Sequence, residues 1–205
     1  MSAPAASPAV PAAPVHAAWL RLCHWANALA VVLMMASGWR IYNASPLFGF
    51  TFPPGWTLGG WLGGALQWHF AAMWLLVANG LVYLAAGIAG GGLRRRLLPL
   101  SPAGLGHDLR AALRGRLQHP QAGRYNQLQR AAYLFALAVL AALVMSGLVL
   151  WKPVQFELLR GLLGGYEAAR RVHFFAMAAL LAFVLGHAAL ALLVPRTLVA
   201  MVRGR

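Results

Sequence analysis

Apolar and polar positions along this chain fall into long blocks. Mostly apolar runs extend from about Trp19 to Tyr42, Leu62 to Ile88, Leu128 to Trp151 and Val172 to Val194. A helix that crosses a bilayer needs about 20 such residues. It also closes its own backbone hydrogen bonds, as the hydrocarbon core demands. The blocks therefore predict an all-α fold, an integral membrane four-helix bundle over residues 18–205. The opening MSAPAASPAVPAAPVHAA is rich in Ala and Pro and bears no charged side chain. It lacks the basic start and apolar core of a signal peptide. Residues 1–17 are expected to be a disordered tail.

Composition strengthens this picture. The chain is 61% hydrophobic and 10% charged, far below the quarter or so of charged residues in soluble domains. Its formal net charge is +14, with three acidic residues. In a soluble protein that balance would suggest nucleic acid. Here the arginines lie between apolar blocks, so membrane orientation explains them and no nucleic-acid partner is expected. Cys23 is the one cysteine, which excludes an intrachain disulfide and a thiolate metal cluster. No C-x-x-C-H stretch is present, so covalent haem attachment is excluded as well.

The connections differ sharply. NASPLFGFTFPPGWTLGGW, from Asn43 to Trp61, carries no charge. The segment from Ala89 to Gln127 holds Arg94, Arg95, Arg96, Arg110, Arg114, Arg116 and Arg124, and the tail adds Arg196, Arg203 and Arg205. The third connection, Lys152 to Arg171, is mixed and contains Glu157 and Glu167. Arginine marks the cytoplasmic side, so both termini and the middle connection are expected inside, with the protein in the bacterial inner membrane.

The chain also repeats itself weakly. MMASGWRIY ends the first run as LVMSGLVLW ends the third, and LGGALQWHFAAMW matches LGGYEAARRVHFFAMA before the second and fourth. In that alignment His69 meets His173, His24 meets Tyr133, and Tyr83 meets His187. A two-helix duplication explains the pattern.

Seven histidines are present. His16, His107 and His119 lie outside the runs and are expected to be solvated. His24, His69, His173 and His187 lie within them. A polar side chain in hydrocarbon needs a partner, and no carboxylate falls in these runs to provide one. A proton pump or ion-coupled transporter would need such carboxylates, so that class is disfavoured. His173 and His187 are fourteen residues apart on one helix. That places them about 21 Å apart in depth and within roughly 40° of one direction. Depth then pairs His69 with His173 on the outer side and His24 with His187 on the inner side. Two imidazoles from two helices at one height suit the axial positions of haem iron. A closed zinc site wants four ligands, and the pairs are too far apart to combine. The histidines thus predict two stacked b-type haems. Gly38 and Gly147, at the outer level, would let a flat macrocycle approach the backbone, or would serve ordinary helix packing.

RLCHWANALAVVLMMASGWRIY, WHFAAMWLLVANG, GRYNQLQRAAYL and GGYEAARRVHFFAM followed by His187 resemble the bacterial di-haem cytochrome b superfamily. That group includes the b561 type and the membrane cytochrome b subunits of Ni,Fe-hydrogenase, formate dehydrogenase and thiosulfate reductase. The resemblance implies a four-helix bundle with His24 and His187 on the inner haem and His69 and His173 on the outer one. WKPVQFELLRGLLGGYEAARRVHF and VPRTL look most similar to cytochrome b subunits that accompany periplasmic molybdopterin oxidoreductases.

The expected function is an electron conduit between the quinone pool and a periplasmic oxidoreductase subunit. It would be a respiratory-chain subunit more than a stand-alone enzyme. Arg170 and Arg171 are placed to meet outer haem propionates or an acidic partner, and Arg21, Arg130 and Arg196 to serve the inner haem. Plain interfacial anchoring is the alternative for each. Two other functions compete with the conduit. One is a self-contained quinone reductase that oxidises superoxide or another small molecule. The other is a non-redox scaffold or transporter, which predicts no bound chromophore.

Overall fold

The computed structural model describes residues 17–89, 98–114 and 126–204. The tail to His16, residues 90–97 with Arg94 to Arg96, residues 115–125 with Arg116, His119 and Arg124, and Arg205 lie outside the described residues.

Four long helices carry the fold: α1 (Ala18–Ala44), α2 (Leu62–Ala89), α4 (Gln127–Trp151) and α6 (Tyr166–Leu193). Each is long and apolar enough to cross a membrane. Between and after them lie the shorter α3 (Pro102–Leu113), α5 (Glu157–Leu162) and α7 (Pro195–Arg203). No strand occurs among the described residues. The chain is an all-α, multi-pass membrane bundle. Its outward apolar side chains are bare, with Leu22 73% exposed and Leu193 77% exposed, as a surface facing lipid tails requires.

The fourth long helix begins at Tyr166, ahead of the apolar run at Val172. Gly165, at φ 100°, can take a backbone conformation closed to other residues, so it turns the chain directly into the helix. Glu167 then bridges to Arg170 one turn on, at 3.0 Å. Glu157 and Glu167 therefore sit in the first turns of helices, where the positive end of the helix dipole favours carboxylates. Local chemistry sets other starts too. Asn126 and Gln129 form a reciprocal capping box on α4. Ser101 caps α3, whose first residue is Pro102.

Packing follows the repeat. α1 lies closely along α2, and α4 along α6, which makes two hairpins. Small residues are among those fully buried: Ala30 on α1 and Ala65 on α2 in the first hairpin, Ala169 on α6 in the second, with Val149 on α4. Close backbone contact in a membrane depends on such residues. The backbones of the two hairpins stand further apart from each other than the helices within each hairpin do. Side chains bridge them instead. Tyr42 and Phe48 meet Phe174 with ring centres 5.3 and 5.1 Å apart. Arg170 donates to the Ser45 carbonyl at 2.6 Å. Asn43 exchanges two 2.8 Å hydrogen bonds with the Phe52 backbone and folds the 43–61 connection over this end. That end is called outer here. The end where α1 begins and α6 finishes is called inner.

Candidate functional site

The gap between the hairpins holds the histidines. At the inner level His24 on α1 faces His187 on α6, with ring centres 6.0 Å apart. At the outer level His69 on α2 faces His173 on α6, with ring centres 6.5 Å apart. A metal–imidazole bond is about 2 Å long, which puts two rings on opposite sides of one metal ion roughly 6 Å apart, centre to centre. Both pairs have that separation. No cluster of three or more histidine, cysteine or carboxylate side chains that could hold a metal occurs among the described residues, so a four-ligand zinc site is not built here.

Two serines that the sequence reading did not single out sit against the outer pair. Ser37 Oγ lies 3.1 Å from His69 Nδ1, and Ser146 Oγ lies 2.9 Å from His173 Nδ1. Both serines are fully buried. They are the serines of MMASGWRIY and LVMSGLVLW, and the repeated Ser-Gly pair was the available signal. The glycines occupy the same contacts. A Cβ at Gly38 would stand 3.5 Å from His69 Cε1, and one at Gly147 would stand 3.4 Å from His173 Cε1. Those are ordinary contact distances, so ring packing alone leaves room for alanine at either position.

At the inner level His187 stacks on Phe183, with ring centres 6.0 Å apart and planes 9° apart. Arg21 Nη1 donates to the Val202 carbonyl at 2.8 Å, and Trp25 Nε1 donates to the Met201 carbonyl at 3.4 Å. These bonds seat α7 against the start of α1. Arg130, at the matching place of the second hairpin, donates to the Pro99 carbonyl at 2.8 Å. The Nε atoms of both arginines are buried without a partner. Asn79 clamps α2 to α1 through the Cys23 carbonyl at 2.8 Å and Asn27 Oδ1 at 2.7 Å.

The remaining candidates separate. Arg170 is held by Glu167 and Ser45, whereas Arg171 is exposed beside it. His107 lies at the surface against Asp108, away from both pairs. The side chain of Arg196 is not among those described. Between α1 and α6 lies an apolar cavity of about 320 Å³, lined by Val32, Met35, Ala36, Trp39, Trp56, Leu181 and Val184. Trp39 Nε1 is a buried donor without a partner there.

The residues present fit a flat iron macrocycle. Paired imidazoles stand one metal ion apart, an apolar gap separates the hairpins, and buried donors await an acceptor. This geometry is that of a membrane cytochrome b. The prokaryotic cytochrome b561 family model matches residues 15–204, and the chain belongs to that family. It is thus a haem b-binding membrane protein of electron transport. Over 190 residues it is 60% identical to the "Putative protein-methionine-sulfoxide reductase subunit YedZ1" of Azospira oryzae, a match covering 93% of this chain and 96% of that protein. No solved structure matches.

Proposed function

We propose that this chain is the di-haem membrane subunit of a two-part reductase in the bacterial inner membrane, with both termini in the cytoplasm. It takes electrons from quinol and delivers them at the periplasmic face to a catalytic subunit that reduces methionine sulfoxide in proteins. The observation that carries this reading is the pair of imidazole pairs, at two depths, between the same two hairpins. The arginine-rich middle segment and tail support the orientation. The description of the Azospira oryzae protein as a reductase subunit supports the outward direction and the kind of partner.

His24 and His187 would hold the inner haem, and His69 and His173 the outer one. Bound haem supplies one-electron carriage. The chain's own residues orient it and keep water away. The unpartnered Nε atoms of Arg21 and Arg130 suit carboxylates at the inner level, as charge-assisted hydrogen bonds do. Arg171, exposed beside the occupied Arg170, is a cation available to the partner.

The overall exchange balances. Quinol loses two electrons and two protons, and the sulfoxide takes up two of each to give the thioether and water. Thiol-based sulfoxide reduction needs accessible thiols, and Cys23, the one cysteine, is buried in α1. This favours a catalytic partner on a separate polypeptide. The stretches WKPVQFELLRGLLGGYEAARRVHF and VPRTL resemble subunits that serve molybdopterin enzymes, which supports a molybdopterin partner.

The test is a dithionite-reduced minus oxidised spectrum of the purified protein, with haem quantified per chain. Two low-spin b haems are expected. One haem overturns the conduit, and none overturns the ligand assignment. Copurification with a periplasmic reductase supports the two-part assembly, and quinone-reducing activity of the lone chain overturns it.

A further inference from the structure

Serine in a buried helix commonly returns its hydroxyl proton to a carbonyl one turn back. Ser37 does so to the Leu33 carbonyl at 2.6 Å, and Ser146 to the Ala142 carbonyl at 2.6 Å. A hydroxyl has one proton to give. With that proton on the backbone, Oγ meets the imidazole as an acceptor. The hydrogen between Ser37 and His69 therefore belongs to His69 Nδ1, and that between Ser146 and His173 to His173 Nδ1. Ser37 Oγ also lies 3.3 Å from the Met34 carbonyl and Ser146 Oγ 3.3 Å from the Leu143 carbonyl, so the hydroxyl proton has a backbone acceptor on either side of the preceding turn. Both outer rings are thus the Nδ1–H tautomer, with Nε2 left bare.

We propose that Ser37 and Ser146 are positioning residues of the outer site. They lock each outer imidazole with Nε2 free to ligate, and they hold the outer haem potential down. The inference rests on the ligand assignment proposed above. A hydrogen bond accepted from Nδ1–H makes the ligating nitrogen more basic, and a more basic ligand favours the oxidised metal. The same device occurs once per hairpin, with the same i−4 carbonyl and nearly the same distances. His187 has no corresponding hydrogen bond among the described residues.

The experiment is a spectroelectrochemical titration of the full-length protein carrying Ser37→Ala, Ser146→Ala or both. His69 and His173 themselves are unchanged in these variants, so the outer haem is expected to stay bound. Its midpoint should rise in each single variant and rise further in the double, while the inner midpoint stays put. An unchanged outer midpoint in the double variant, with both haems present, overturns the proposal, as does an equal shift of both haems. Should alanine cost the outer haem, Ser37→Cys and Ser146→Cys keep a side chain of similar size with a weaker acceptor. A smaller upward shift is then expected, and none overturns the proposal. His69→Ala identifies the outer signal independently. If it removes neither haem, the ligand assignment has failed, which is a separate result from a serine variant without a shift.

Discussion

The outer and inner histidine pairs have similar ring separations but are built differently. Each outer histidine is braced inside its own hairpin: His69 by Ser37, His173 by Ser146. Each half of that site is complete before the hairpins meet. The inner pair takes one histidine from the first helix of one hairpin and one from the second helix of the other. Its matching repeat positions carry Tyr133 and Tyr83 instead. His187 there rests on a stacked Phe183, and the surrounding anchor is Arg21 reaching α7 near the chain's far end. The outer level is thus drawn from equivalent positions of the repeat, each braced by a serine of its own hairpin, while the inner level is drawn from non-equivalent positions. Buried polar contacts within a helix pair persist whatever lies between the pairs; contacts across the gap depend on its contents.

The hardest test of this contrast removes a ligand. His69→Ala or His173→Ala should abolish the outer haem and spare the inner one, and His24→Ala or His187→Ala should do the reverse. Haem counted per chain checks this, and parallel loss of both haems in a folded variant contradicts independent levels. Arg21→Ala comes next. It removes a half-buried cation and the α7 anchor from the inner level only. A cation favours the reduced state, so the inner midpoint should fall by tens of millivolts, on a scale where a one-electron couple moves about 59 mV per tenfold change. The outer midpoint should hold. The sign is opposite to that expected of the serine variants, and a rise at the inner haem would break the assignment of Arg21. Asn79→Leu should act on stability more than on potential. It leaves the Cys23 carbonyl and Asn27 without their donor, a loss of about 1 kcal/mol for an interhelical bond in a membrane. Thermal unfolding in detergent reads it, and an unchanged midpoint of unfolding argues that the clamp carries no load. The smallest effect belongs to His107→Ala. That ring is 82% exposed and faces Asp108, so the haem spectrum should not change. A lost haem there would add a ligand outside both pairs.

Much of the architecture was legible without coordinates. The four spans follow from block hydrophobicity, which tolerates imprecise reading because any apolar residue serves a lipid-facing position. The pairing of the histidines follows from helical rise and from which side each span enters, and both are properties of single helices. The serines were harder to see. Ser37 matters because α1 lies against α2 at a register that brings it to His69, and one buried hydroxyl in an apolar helix looks like any other. Arg170 hydrogen-bonds Glu167 and Ser45, partners that no single stretch of sequence brings together. The anchor of Arg21 on Val202 joins residues 181 positions apart in the chain, which local sequence does not show.

The sequence by itself determined the class of molecule: four apolar helices, two levels of paired imidazoles and a basic side. Those depend on composition and helical period, which any segment carries alone. Only the tertiary structure decided which hydroxyl braces which ring, where Nδ1 keeps its proton, and which arginines remain available. Hydrogen bonds act over about 3 Å between residues far apart in sequence, so the way the helices pack determines them.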